Sequence, residues 1–240
     1  MFEIIQIAVL PHNANYNYIL HGGGETVIVD PSLSAPIIDV LKEKGWRADK
    51  IINTHHHWDH TDGNMELKEF YNAKVIGFSQ DAHRIPGIDI PLNEGDEIQI
   101  CGEKARIMFL PGHTTAHIAY YFEELDILFS GDVIFAMGCG RLFEGTYEQA
   151  YESLQTIASL PLHTKIYCAH EYTLTNGKFA QKIDAENEDI KTRMQITEKL
   201  REQNIPTIPT TVEIELKTNP FVRAKNVFEF EKIRKARDRF

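Results

Sequence analysis

The first half of the chain is a series of short apolar runs broken by turn signals. Segments 18–20, 26–29, 50–53, Lys74–Phe78, Glu97–Ile100, 105–110, 117–122 and 127–130 have the length and residue types of strands. The apolar stretches on either side of 123–126 predict a hairpin. Between the strands, apolar positions recur at helical spacing. A helix is expected over 35–44, ended by Gly45, another over 62–71 behind a Thr/Asp cap signal, and a third over 147–160, stopped by Pro161. Strands interleaved with helices predict a layered α/β domain.

After a further strand at Lys165–Cys168 the texture changes. Helices are expected over 174–183, 186–203 and 227–239, with a Pro/Thr-rich loop at 205–211. We place a domain boundary near residue 170, giving domains 1–170 and 171–240. The second part is too short to bury a sufficient core by itself and is expected to dock on the first.

With 240 residues, 42% hydrophobic and 25% charged, the composition is that of an ordinary globular protein. No apolar run approaches the roughly 18 residues of a membrane span. The N-terminus has an acid where a signal peptide would carry basic residues, so a cytoplasmic protein is expected. Three scattered cysteines, Cys101, Cys139 and Cys168, read as reduced and packed. The net charge of −10 disfavours a nucleic-acid partner. The absence of a long apolar seam points to a monomer. The exception to the acidic balance is a basic tail over residues 223–239.

Candidate chemistry begins at Thr54-His55-His56-His57-Trp58-Asp59-His60, directly after an apolar run. Side chains two apart on an extended segment share a face, so His55 and His57 can converge on one ion. A turn towards the following helix can aim Asp59 and His60 at a second. One histidine cluster alone is as readily a surface run. Three further candidates change that balance, each placed after a predicted strand: His113 in Pro-Gly-His, Asp132 in Ser-Gly-Asp, and His170 in Cys-Ala-His. Strand ends gather at one sheet edge, where α/β proteins place their sites. Imidazole and carboxylate suit zinc, and iron or manganese would also accept them. No G-x-S-x-G, P-loop or H-E-x-x-H is present.

The order H-x-H-x-D-H, Gly-His, Gly-Asp and a later His resembles the metallo-β-lactamase superfamily over residues 1 to about 170. That resemblance implies a four-layer αββα sandwich with a smaller helical C-terminal domain. It implies two divalent metal ions: His55, His57 and His113 on the first, Asp59, His60 and His170 on the second, and Asp132 bridging both. Asp30 matches an early strand-end residue that supports the ligands. A metal-bridging hydroxide would be the nucleophile, oriented by Asp59, since a bound zinc can lower the pKa of water from about 16 to about 7.

Within the superfamily, four features resemble the hydroxyacylglutathione hydrolase (glyoxalase II) family: the T-H-H-H-W-D-H string, Gly138–Thr146, His170-Glu171-Tyr172-Thr173, and the tail Asn219-Pro220-Phe221-Val222-Arg223 with Arg234 to Asp238. The implied reaction is hydrolysis of an S-(2-hydroxyacyl)glutathione thioester, such as S-D-lactoylglutathione, to glutathione and a 2-hydroxy acid, the second step of methylglyoxal detoxification. By the same resemblance Arg234 and Arg237 hold the glycyl carboxylate and Tyr172 bonds the glutathione backbone. Arg141 lies beside the thioester, and Phe143 stands where some relatives have Tyr. Arg237 departs from a common Lys.

Each has a plainer reading. The tail arginines could solvate a helix face, Tyr172 could be a packed aromatic, and Arg141 a surface ion-pair partner. His56 is off the two-residue register and reads as a non-ligand. His12, His21, His83 and His163 have no motif context, His117 is expected to pack beneath the site, Trp58 to be a packing residue, and Cys139 to be structural. A one-iron glutathione persulfide dioxygenase, a lactonase or nuclease, and a non-enzymatic binding module with structural metal are the competing functions. Seven N/O ligands leave open coordination positions, which disfavours the last.

Overall fold

The structure, a computed structural model, describes residues 2–9 and 15–240, so His12 lies outside the described residues. The chain folds into two compact units, Met1–Phe109 with Ile118–Leu125, and Leu110–His117 with Asp126–Phe240. This division is a different cut from the change of texture near residue 170.

In the first unit β1 (Glu3–Val9), β2 (Asn15–Gly22) and β3 (Glu25–Val29) form an antiparallel meander. The chain then crosses over through α1 (Ser34–Lys44) to β4 (Lys50–Ile52). It passes through α2 (Trp58–Thr61) and α3 (Asn64–Tyr71) to β5 (Lys74–Phe78), and β6 (Ile88–Leu92) closes the sheet; β3 to β6 are parallel. Central parallel strands are covered on both faces and read as apolar runs. Ile37, Ile38 and Leu41 of α1 and Leu67 of α3 pack on Ile28, Ile51 and Val75. Gly45 takes the left-handed conformation that ends α1 (φ 68°). Strand β6 escaped the sequence pattern because Pro91 interrupts it, and it lies at the sheet edge, where proline is tolerated.

An antiparallel ribbon follows: β7 (Glu97–Ile100), β8 (Glu103–Phe109) and β9 (Ile118–Phe122). It meets the first sheet just beyond β4, where the Ile118 N–H donates to the Thr54 carbonyl (2.9 Å) and the Tyr120 hydroxyl donates to the Asn53 carbonyl (3.0 Å). The expected helix over 62–71 is found as α3, starting two residues later, and the short α2 precedes it. Gly63 separates α2 from α3 because its N–H bonds the Pro31 carbonyl at 2.9 Å and a Cβ there would sit 2.9 Å from the same oxygen.

In the second unit β10 (Ile127–Gly131) runs parallel to β13 (Lys165–Cys168), with β14 (Thr210–Thr211) antiparallel to β13. Between them lie a small hairpin, β11 (Ile134–Phe135) and β12 (Gly138–Cys139), and α4 (Tyr147–Ala158). A Thr146/Gln149 capping box starts α4. Helices α5 (Thr173–Ile183), α6 (Glu188–Glu202) and α8 (Val227–Asp238) fall within two residues of their expected bounds. The helix α7 (Val212–Thr218) was not foreseen: V-E-I-E-L-K-T alternates like a strand, but Thr211 caps it by accepting the Ile214 N–H. Phe179, Phe221 and Phe230 form the aromatic centre of this unit. No helix among the described residues is long and apolar enough to cross a membrane.

Candidate metal centre and substrate site

The first unit carries one half of the constellation. Between β4 and α2 the chain holds His55, His57, Asp59 and His60 together. Ring nitrogens of His55 and His57 lie within 4.8 Å of one another, as do those of His55 and His60, and the Asp59 carboxylate lies equally close to His60. Asp30 organises them. It sits at the end of β3 in the left-handed region (φ 47°), which aspartate tolerates better than most side chains. Its Oδ1 accepts the Thr54 N–H (2.8 Å), and its Oδ2 accepts the Thr54 hydroxyl (2.7 Å) and His60 Nδ1–H (3.1 Å). With its proton given to Asp30, the Thr54 hydroxyl accepts from His55 Nδ1 at 3.1 Å. Both imidazoles therefore carry their lone pair on Nε2, as second-sphere hydrogen bonds do for metal-ligating histidines. Asn15 steadies Asp59, donating to its carbonyl (3.1 Å) and its Oδ2 (3.3 Å).

The second unit carries the other half. Asp132 follows β10 and turns one carboxylate oxygen to each of two histidines: Oδ2 lies 3.4 Å from His113 Nε2, and Oδ1 lies 3.3 Å from His170 Nε2. His113 Nδ1 donates to the Arg141 carbonyl at 2.7 Å, again leaving Nε2 as the donor atom for an ion. His117 is fully buried, and its Nε2 accepts the Asp132 N–H at 3.1 Å, so it sits beneath the carboxylate as expected. Gly140 is required by close approach: a Cβ there would collide with the Asp132 carbonyl oxygen and press on His113 Nδ1. We expect Gly140→Ala to lower metal content and activity together in the purified protein, while a buried packing change alone would lower only its melting temperature.

Nitrogen and carboxylate donors held this way, buried and with their tautomers set from behind, fit divalent metal ions. Cysteine offers no rival nucleophile. Burial pushes the Cys101 thiol up to about 12 and raises those of Cys139 and Cys168 as well, so all three stay protonated.

The substrate-binding candidates all lie in the second unit. Tyr172 stacks on His170 (ring centroids 4.7 Å apart, 4° between planes). Phe143 is exposed and meets the His113 ring edge-on at 5.3 Å. The Arg141 side chain is also exposed, its Nε 3.8 Å from Asp238 Oδ1. Arg234 is buried; it donates to the Cys139 carbonyl (3.0 Å) and to the same Asp238 oxygen (2.8 Å). Arg237 lies against Asn176 (3.3 Å) and the Phe179 ring. Burial, and then the neighbouring Arg234 guanidinium, hold its pKa below the ordinary arginine value.

Some readings change. Trp58 is 62% exposed and is not a packing residue. His21 stacks on Trp46 at 3.8 Å, and His163 pairs with Asp126 at 2.8 Å. The organising roles of Asn15 and Thr54 had no local signal in the sequence, since they depend on which strand ends become neighbours.

Comparison with known proteins agrees with this geometry. Residues 11–170 match the metallo-beta-lactamase superfamily, and residues 171–240 match the hydroxyacylglutathione hydrolase C-terminus. The chain is 46% identical to the hydroxyacylglutathione hydrolase of Methylococcus capsulatus, covering 94% of this chain and 88% of that protein. It is 43% identical to the one from Pelagibacter ubique, covering 94% and 95% respectively. Among solved structures it is similar in fold to ETHE1 from Myxococcus xanthus (TM-score 0.74, 23% identity, 98% of this chain and 90% of that one). It is similar also to the BLEG-1 B3 metallo-beta-lactamase (TM-score 0.70, 22% identity, 92% and 99%). The chain therefore belongs to the metallo-β-lactamase superfamily, with the fold of that superfamily and a helical C-terminal region, and within it to the hydroxyacylglutathione hydrolase (glyoxalase II) family.

Proposed function

We propose that the chain hydrolyses the thioester of S-(2-hydroxyacyl)glutathione, S-D-lactoylglutathione above all, releasing glutathione and D-lactate in the second step of methylglyoxal detoxification. The substrate class comes from the named relatives at 43–46% identity over most of the chain. The observation that carries the chemistry is Asp132, with one oxygen towards His113 and the other towards His170. A carboxylate so placed suits a bridge between two cations.

In this reading His55, His57 and His113 hold one divalent ion, Asp59, His60 and His170 a second, and Asp132 both, with zinc the first candidate and iron or manganese alternatives. When bound, two such ions supply a water of lowered pKa and Lewis-acid polarisation of the thioester carbonyl. The remaining work belongs to side chains of this chain. Asp59, steadied by Asn15, orients the nucleophile through a hydrogen bond. Asp30 and Thr54 keep His60 and His55 in the donor tautomer. The catalytic machinery falls within 1–170, and 171–240 supplies substrate contacts. The protein is expected to act as a cytoplasmic monomer.

Glutathione presents carboxylates, and the cluster of Arg141, Arg234 and Arg237 around a single Asp238 provides fixed cations for the glycyl one. The buried Arg234 supplies charge while tying down the Cys139 loop; Arg141 and Arg237 are offered to the ligand. Tyr172 and Phe143 flank the glutathione arm. Loss of a charge-assisted contact costs about 1.5–3 kcal/mol, roughly 10–150-fold. Arg141→Ala combined with Arg237→Ala should raise KM for S-D-lactoylglutathione by that factor and leave most of kcat. Steady-state kinetics decide it: a collapse of kcat at constant KM would contradict the assignment.

A further inference from the structure

His56 stands between two proposed ligands and is absent from the mechanism, yet its side chain is anchored more firmly than a spacer requires. Its Nδ1 lies 3.0 Å from Oδ2 of Asp81, a carboxylate with no solvent exposure at all. The other oxygen of Asp81, Oδ1, accepts from Arg84 Nε at 2.5 Å. Asp81 is itself fixed, because its backbone carbonyl accepts the N–H groups of Arg84 (2.9 Å) and Ile85 (3.1 Å) in the turn after β5. A buried carboxylate persists only where it is paired, and here one of its partners is the middle residue of the ligand segment.

The placement has a mechanical consequence. Strand β4 ends at Ile52, and residues 53–57 lie in no strand. Past Thr54 the segment is held by a backbone bond, His60 N–H to the His57 carbonyl (3.0 Å), and by side chains: the Thr61 hydroxyl reaches the carbonyls of His56 (3.3 Å) and His57 (3.0 Å), and Asp81 takes the His56 ring. The His56 ring stands edge-on to both neighbours, with centroids 6.3 Å from His55 and 4.9 Å from His57. The three rings pack against one another, His55 and His57 being 4.6 Å apart at their centroids, so holding the middle ring limits where the flanking two can move.

We propose that Asp81, acting through His56 and balanced by Arg84, is a positioning residue that sets the spacing of His55 and His57 for an ion. In this reading both act from outside the ligand set. The inference rests on the metal-centre reading above, and its test reads metal binding directly, so that it stands or falls apart from the thioesterase assignment.

The experiment uses the full-length protein stripped and reloaded with zinc against a chromophoric competitor chelator, and a parallel cobalt(II) substitution followed by its visible spectrum. His56→Ala and Asp81→Ala should each weaken zinc binding by about 10–100-fold, the usual effect of removing a second-sphere partner. Both should shift the cobalt(II) bands. Since the two act as one unit, the double variant should bind no worse than the poorer single variant. Asp89→Asn serves as the control. It removes the charge of a carboxylate that joins β6 to α3 and β5, where Asp89 Oδ2 meets Lys68 (2.8 Å) and the Val75 N–H (2.9 Å), and should leave zinc affinity unchanged. Should Asp81→Ala fail to fold, His56→Ala alone decides, because it leaves the Asp81–Arg84 pair intact. Wild-type zinc affinity and an unchanged cobalt(II) spectrum in His56→Ala would overturn the proposal, as would strictly additive losses in the double variant.

Discussion

Asp132→Ala is expected to yield a folded protein that has lost bound metal and nearly all hydrolytic activity. Asp132 lies between two histidines, 3.4 Å from His113 Nε2 and 3.3 Å from His170 Nε2. Its removal takes the bridging charge from both proposed ions and leaves five imidazoles and one carboxylate to hold two dications. Lewis-acid stabilisation is worth several kcal/mol, and each factor of ten in rate corresponds to about 1.4 kcal/mol. A fall in kcat of roughly a thousandfold or more follows. Metal analysis should show occupancy falling with it. The fold should survive, because the Asp132 backbone N–H keeps its bond to His117. Retention of more than a tenth of wild-type kcat would remove Asp132 from the centre of the mechanism.

The second large effect is on stability and lies away from the metal centre. Glu215 is 1% exposed. Its Oε1 accepts from Arg193 (2.7 Å) and the Thr210 hydroxyl (2.6 Å), and its Oε2 from the Met137 N–H (2.9 Å) and Asn219 (2.9 Å). Asn219 in turn donates to the carbonyls of Phe135 (3.2 Å) and Gly138 (2.9 Å). One carboxylate therefore joins α6, α7 and the β11–β12 hairpin. Glu215→Ala leaves the Arg193 charge and several polar groups buried without their partner, a loss of about 3–5 kcal/mol. For a chain of this size that lowers Tm by roughly 6–20 °C. Replacing both partners together, Arg193→Met with Glu215→Leu, should recover much of the loss, since a well-packed apolar pair often matches a buried ion pair. Differential scanning calorimetry distinguishes the outcomes; a Glu215→Ala shift below 2 °C would show that the network contributes little.

The two effects link the C-terminal region to the chemistry in a specific way. The hairpin held by Glu215, Asn219 and Arg234 leads straight into Gly140 and Arg141, and the Arg141 carbonyl is what fixes the His113 tautomer. Loosening the helices should therefore disturb metal affinity as well as substrate binding.

Much of this was legible in the sequence for physical reasons. Ile51, Ile52, Val75 and Ile76 form apolar runs because parallel strands are covered on both faces, and ligand-type residues follow such runs because strand ends share an edge. What stayed hidden depends on long-range partners. Strand β6 was masked by Pro91, and α7 by an alternating pattern whose inward Glu215 makes sense only once Arg193 is beside it. Asn15 and Asp81 look like ordinary polar residues until the fold brings them to the histidine segment, and so does Thr54 until Asp30 lies beside it. Trp58 was expected to pack because large apolar side chains usually do, yet it stands exposed at the start of α2.

The most direct test is elemental analysis of the protein as purified, paired with hydrolysis of S-D-lactoylglutathione by the same sample. Two divalent ions per chain, with thioester cleavage that disappears on chelation and returns in proportion to metal restored, is the expected result. Full activity in metal-free protein, or two bound ions with no cleavage, would contradict the account.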